Sequence, residues 1–161
     1  MEWLNIQENV EFGLKAKKFP PDKLKERSDY VIRMVGLDKY RNYYPSQLSA
    51  SMLQRVVIAR AFAIEPDLLL MDEPYGQLDL TLKYKLEDEL LKMWKEIRTT
   101  VLFITHNIEE AVYLSDRIIV LTNKPTHIKT EIINDLPRPR KVSDPEFVAL
   151  RNQVTDLIKW W

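Results

Sequence analysis

The stretch LLLMDEPYGQLD, residues 68–79, decides the fold. Leu68 to Met71 form an unbroken apolar run, Asp72 and Glu73 end it, and Pro74 and Gly76 follow as turn residues. An apolar run of strand length, bounded by turn residues, reads as a strand buried on both faces. Such strands belong to parallel sheets covered by helices on either side. In open α/β sheets ligands sit at the carboxyl ends of the strands, so Asp72 and Glu73 stand where chemistry is expected. Neighbouring side chains on a strand point to opposite faces. The two carboxylates can serve one task only if the chain turns there, and Pro74 and Gly76 supply the turn.

Working outward, a second apolar strand, VLFIT at 101–105, also ends in a polar residue, His106. Asn107 and Glu110 then make a capping-box-like start for a helix over IEEAVYLS. RIIVLT at 117–122 and HIKTEII at 127–133 read as further strands. Between the first two strands, Leu82, Leu86, Leu90, Trp94 and Ile97 recur at helical spacing. Upstream, a helix is predicted from Pro21 to Val35, with proline in its first turn and Gly36 to end it. Another follows LSAS and stops near Ile64, before Glu65-Pro66. The alternation of strand and helix predicts an α/β fold. LPRPR, from residue 136, reads as an extended linker to a last amphipathic helix carrying Phe147, Leu150, Val154 and Ile158. Trp160 and Trp161 follow it with no chemistry assigned.

The 161 residues suffice for about one domain with a sizeable core. Twenty-four basic residues balance 24 acidic ones, so no net field points to nucleic acid. The absence of cysteine excludes disulfides, thiolate chemistry and cysteine-ligated zinc, and fits a reducing compartment. The apolar runs fall far short of the roughly 18 residues a membrane span needs, so any membrane role read from them is peripheral.

Each polar residue has a local explanation. Asp72-Glu73 can be the polar turn after a strand, and His106 can be satisfied by backbone in a strand-to-helix turn. Asp79 can cap the helix that begins LTLKYKLEDEL, and Ser49 the helix after LSASMLQR, residues 48–55. The chemical readings are more specific. An apolar strand ending in Asp-Glu is the arrangement of nucleotide triphosphatases, where the aspartate holds Mg²⁺ and a second group positions the attacking water. An imidazole can donate to phosphate oxygens, and a helix start can hold an anion. Singly the local explanations suffice; in this order and at these separations coincidence is a poor account.

The segments LSASMLQRVVIARAF, LLLMDEPYGQLD and VLFITHNIEEAVYLSDRIIVL resemble the signature, the Walker B with D-loop, and the switch-histidine segments of an ABC transporter ATPase subunit. The opening EWLNIQENVEFGL resembles the start of that family's helical subdomain, and LPRPR with DPEF resembles the tail of nitrate, sulfonate and taurine importer subunits. The resemblance implies a partial P-loop NTPase domain with mostly parallel strands. It implies a helical signature subdomain at 1–64, the C-terminal part of the ATPase core at 65–135, and a linker with a C-terminal helix at 136–161.

It also implies ATP and Mg²⁺ as cofactors. Asp72 would bind the metal, Glu73 would be the general base, and His106 would contact the γ-phosphate. Ser49, Ala50, Ser51 and Gln54 would face nucleotide held by a second ATPase subunit, and Asp79 would lie in the loop that couples the two subunits. The implied partners are that subunit, a transmembrane permease and, indirectly, a solute-binding protein, with no nucleic acid. The implied location is the cytoplasmic face of the cell membrane.

A phosphate loop of the form GxxxxGK(S/T) needs two glycines five apart with lysine after the second. Gly13, Gly36 and Gly76 are followed by Leu14, Leu37 and Gln77, so this sequence contains no such loop. The chain is therefore expected to be the C-terminal portion of an ATPase subunit, inactive by itself, poorly soluble or self-associating because apolar sheet faces are left uncovered. A second reading is a non-hydrolysing module of the same fold. Glu73 and His106 favour the first, because a module without turnover has no need of a base. Ala50-Ser51, in place of the family's paired glycines, favours the second. A weaker third reading is an ABC-type ATPase acting on DNA or ribosomes, against which the neutral composition and importer-like tail count.

Overall fold

The computed structural model describes residues 1–76 and 80–159. Within it the chain forms two compact units, Met1–Leu69 with Gln77–Leu102, and Leu70–Gly76 with Phe103–Trp161. Asp79, Trp160 and Trp161 lie outside the described residues.

The first unit is largely helical: α1 (Ile6–Ala16), α2 (Pro21–Met34), α3 (Ala50–Ala63) and α4 (Leu80–Ile97). Helix α1 is one the apolar spacing did not single out. It begins in a complete capping box, Asn5 Oδ1 accepting from the Glu8 amide at 2.9 Å and Glu8 Oε2 accepting from the Asn5 amide at 2.9 Å. Its buried stripe is Ile6, Val10 and Leu14. A Cβ built on Gly13 would stand 2.6 Å from Ile64 Cγ2, so α1 passes the end of α3 at a distance only glycine permits. Helix α2 matches the predicted start at Pro21, and Gly36 follows it with φ +69°, the left-handed region that suits glycine.

Helix α4 buries Lys83, Leu86, Glu87, Leu90 and Met93. That face is rotated from the predicted stripe, since Leu82, Trp94 and Ile97 are only half-buried. Trp94 explains part of the rotation. Its indole N–H donates to the Thr99 carbonyl at 2.9 Å, which draws the ring toward the helix end. Across the helices, Arg55 of α3 bonds Glu89 of α4 at 2.5 Å.

Strand β1 (Leu68–Asp72) pairs with β2 (Thr100–Ile104) in a two-stranded sheet. Burial on both faces, expected from the apolar run, is not what this chain shows. Met71 is buried, but Leu68 and Leu70 are 52% and 64% exposed, and Leu102 and Ile104 about as much. A strand that reads as fully buried covers only the face that has something to pack on, and among the described residues the other face has no cover.

The second unit adds α5 (Ile108–Leu114), β3 (Arg117–Leu121), β4 (Ile128–Ile133) and α6 (Pro145–Ile158). Strands β3 and β4 pair antiparallel, Ile118 opposite Ile132 and Val120 opposite Thr130. A mostly parallel arrangement was expected, yet the six-residue connection between these two strands is too short for a parallel crossover. Ile118 and Val120 project into a core with Val112, Phe147 and Val154. Phe147 is one of the four α6 positions named from the sequence, and Leu150 and Ile158 pack around the same cluster. No described helix is long and apolar enough to cross a membrane.

Candidate functional site

The second unit holds the clearest chemical arrangement. Strand β1 ends at Asp72, and the turn begins one residue earlier than Pro74 would place it: Glu73 itself has φ +42°. A non-glycine residue held there stores strain that surrounding contacts must offset. Three contacts do so. The Glu73 amide donates to the Ile104 carbonyl at 2.9 Å, which ties the turn to the end of β2. The Gly76 amide donates back to the Glu73 carbonyl at 3.2 Å. Tyr75, only 1% exposed, packs its ring 5.9 Å from that of Phe103.

The consequence is that the two carboxylates separate. Asp72 is exposed, and its side chain makes no hydrogen bond or ion pair among the described residues. The Glu73 carboxylate turns to His106, with Oε1 2.9 Å from Nδ1 of the ring. When Nδ1 carries the proton it donates to Glu73, which leaves Nε2 facing outward and Oε2 able to accept from a water. The pair is open to solvent: the histidine side chain is 73% exposed and that of Glu73 50%.

His106 is presented by a short, tightly held loop. Asn107 caps α5, its Oδ1 accepting from the amides of Glu109 and Glu110 at 2.9 and 3.2 Å. The expected capping box is present in relayed form. The buried Glu110 carboxylate accepts from the Thr105 hydroxyl, and Thr105 Oγ1 accepts from the Asn107 amide at 3.0 Å. His106 therefore stands between two residues that are each fixed by their own hydrogen bonds.

The other sequence-named residues gather at the start of α3 in the first unit. Ser49 is the N-cap, its Oγ accepting from the Met52 amide at 3.3 Å. Ala50 and Ser51 are the first helical residues, and Gln54 lies a turn further on. Neither Ala50 nor Ser51 has positive φ. The helix start thus forms without the conformational freedom of the paired glycines. Ser49 and Ala50 are exposed, so the amide-bearing end of the helix is open. Asp79 lies outside the described residues.

Two arginines not found from sequence bond the far end of α5, the helix that His106 precedes. The basic tail segment is not a free linker: Arg140 is 5% exposed, and its guanidinium donates to carbonyls of Val112, Tyr113, Ser115, Leu136 and Asn134. Burial, and then the neighbouring Arg138 charge, push its pKa down to about 10. Arg138 reaches the Leu114 carbonyl at 2.5 Å and pairs with Asp116. The one sequence signal for them is that the helix ending in Leu114 is followed by Ser115-Asp116 rather than glycine, so its last carbonyls lack the usual αL cap.

Residues 1–76 match the ABC transporter family. An uncharacterized ABC transporter ATP-binding protein of Methanocaldococcus jannaschii is 44% identical over 99% of this chain and 60% of its own length. An aliphatic sulfonates import ATP-binding protein of Bacillus cereus is 41% identical over 94% of this chain and 59% of its own length. The chain thus spans about three-fifths of these curated relatives. Among solved structures, cbiO1 from Clostridium perfringens, described as part of the ABC transporter complex cbiONQ, matches with a TM-score of 0.67 and 28% identity. That match covers 72% of this chain and 46% of the other. The chain has part of the ABC ATPase fold and belongs to the ABC transporter family of ATP-binding proteins.

Proposed function

We propose that this chain supplies the hydrolytic carboxylate and switch histidine of an ATP-driven solute importer. The observation that carries the reading is the Glu73–His106 pair at 2.9 Å, presented at the ends of two adjacent strands. Glu73 is the general base toward the attacking water, and His106 holds Glu73 in place through Nδ1 while its other nitrogen faces the γ-phosphate. Asp72 has the free, exposed carboxylate that a Mg²⁺ site needs. That ion is commonly held by one or two carboxylates together with substrate phosphates, and the residues present fit it. When bound, the metal neutralises charge on the β- and γ-phosphates. Ser49, Ala50, Ser51 and Gln54 offer the open amide end of α3 to nucleotide held by a second subunit, where the helix dipole favours an anion, and Asp79 belongs to the coupling loop between the subunits. The partners are that second ATPase subunit and a membrane permease at the cytoplasmic face. The solute class is of the sulfonate or nitrate kind, supported by the sulfonate-importer relative and the LPRPR tail.

The test is hydrolysis of Mg-ATP by the chain joined behind a segment that supplies a GxxxxGK(S/T) loop. Turnover is expected to fall by on the order of 10²- to 10⁴-fold in Glu73→Gln, the usual worth of general-base catalysis, with ATP binding retained. Turnover kept in Glu73→Gln refutes the reading. The second reading, a module that binds without hydrolysis, is favoured by Ala50 and Ser51; it predicts no turnover in the joined protein until Ala50→Gly and Ser51→Gly are introduced together.

A further inference from the structure

The last four carbonyls of an α-helix have no partner within the helix, and a seven-residue helix has little stability of its own. In α5 the Ser115 amide still closes the last helical bond to Ala111, so those carbonyls belong to Val112, Tyr113, Leu114 and Ser115, and every one accepts from a side chain outside the helix. Ala111 accepts from the Ser115 hydroxyl at 2.5 Å and its amide at 3.2 Å. Val112 accepts from Arg140 Nη1 at 2.9 Å and from Asn134 Nδ2 at 2.8 Å. Tyr113 accepts from Arg140 Nη1 at 3.0 Å, and Leu114 from Arg138 Nη2 at 2.5 Å. Arg140 also bonds the carbonyls of Ser115, Leu136 and Asn134, so one buried guanidinium joins the end of α5, the end of β4 and the tail.

A cation at this end also complements the helix dipole. Among the described residues no carboxylate hydrogen-bonds Arg140: its bonds all go to backbone oxygen, and Asp116 acts on it through charge only. At its other end α5 begins at Asn107, next to His106. Two turns of helix therefore separate the arginine from the imidazole, and Asn107, Thr105 and Glu110 tie the 105–107 loop to the first turn of that helix.

We propose that Arg140 is a positioning residue for the Glu73–His106 pair. By locking the carboxyl end of α5 it fixes the 105–107 loop in the one placement that holds the ring within hydrogen-bond reach of Glu73. The tail that follows β4 thereby acts on the histidine without touching it, and α6, packed against α5 through Phe147 and Val112, is carried on the same arginine-tied frame. The inference concerns the pair's geometry; its bearing on turnover rests on the function proposed above.

The test reads geometry directly, without nucleotide, so a failed hydrolysis assay and a failed positioning assay are separate results. The chain has two histidines, His106 and His127. Ring ¹⁵N resonances of His106, assigned with His127→Gln, report which nitrogen carries the proton and whether Nδ1 is hydrogen-bonded. Glu73→Gln is expected to displace them and so defines the signature of the broken pair. Arg140→Met is expected to move His106 at least halfway to that signature in the folded protein, and Arg140→Lys, which keeps charge but loses the fork, to move it less. Val154→Ala weakens the same core without touching the α5 carbonyls and is expected to leave the His106 resonances in place at matched loss of Tm. If Arg140→Met leaves them in place too, Arg140 only anchors the tail and the proposal fails. Should Arg140→Met not fold, Arg140→Lys decides alone: unchanged His106 resonances overturn the proposal. Resonances indifferent to Glu73→Gln also overturn it, since no pair then exists to be positioned.

Discussion

Two helix starts carry the chemistry we propose for this chain, and they are built differently. Helix α3 is 14 residues long, and its cap rests on a single hydrogen bond of 3.3 Å from an exposed serine. Helix α5 has seven residues, a cap bonded to two amides, a relay through Thr105 to a buried glutamate, and arginines on its last carbonyls. The long helix is held by its flank: Ala59, Phe62 and Ala63 are fully buried, and α1 closes on it at Gly13. Its end can stay open. The short helix cannot bury enough of itself, so polar side chains hold both ends. The anion-facing helix start and the positioned histidine that we propose place opposite demands on the local structure, one for bare amides and the other for fixed geometry.

The comparison is broken most severely at the core beneath α5. Phe147 is 1% exposed and touches the cluster that includes Val112. Phe147→Ala is expected to lower stability by about 3–5 kcal/mol, read in urea melts of the intact chain. Tyr113, whose ring lies 6.5 Å from that of Phe147, loses its edge contact in the same change and reports the loss in near-ultraviolet dichroism. A melt shifted by less than a third of that amount means α6 contributes little to holding α5.

Next come the caps themselves. Asn107→Ala orphans two amides, and the expected loss is about 1–2 kcal/mol, at the upper end for N-caps. Ser49→Ala removes one long, exposed bond and is expected to cost about 0.5 kcal/mol, at the lower end. Equal losses at the two caps contradict the contrast drawn between the helices. A larger loss at Ser49 reverses it.

Much of this was legible in the residues. The apolar runs at 68–71 and 101–105 are local and continuous, so the two strands were found with their polar ends, and Pro21 and Gly36 marked α2. The missed features are tertiary. Glu73 takes the left-handed turn itself because its amide is held by Ile104, a residue 31 positions away in sequence. Arg140 reads as a solvated linker charge until the carbonyls of α5 are brought to it. Leu68 and Leu70 read as buried because hydrophobicity records what a strand can cover, whereas exposure records what is present to cover it. Helix α1 hid behind a short apolar stripe, although its Asn5–Glu8 capping box was open to view.

The smallest effect tests whether surface charge matters to the frame of the second unit. Arg117 on β3 bonds Glu131 on β4 at 2.7 Å, and both are exposed. The guanidinium hydrogen bond holds the Glu131 carboxyl below its ordinary pKa. A carboxyl lowered in the folded state supports folding at pH above the usual glutamate range. That support fades as the pH falls through the lowered folded value. Arg117→Ala should therefore raise the Glu131 pKa toward the ordinary value, followed by carboxyl carbon shifts in an acid titration, while Tm at neutral pH barely moves, because exposed pairs contribute little. The His106 resonances should not respond, since the α5 clamp is made of buried donors and not of this pair. A response there would mean that the β3–β4 hairpin, and not the arginine behind α5, sets where the histidine stands.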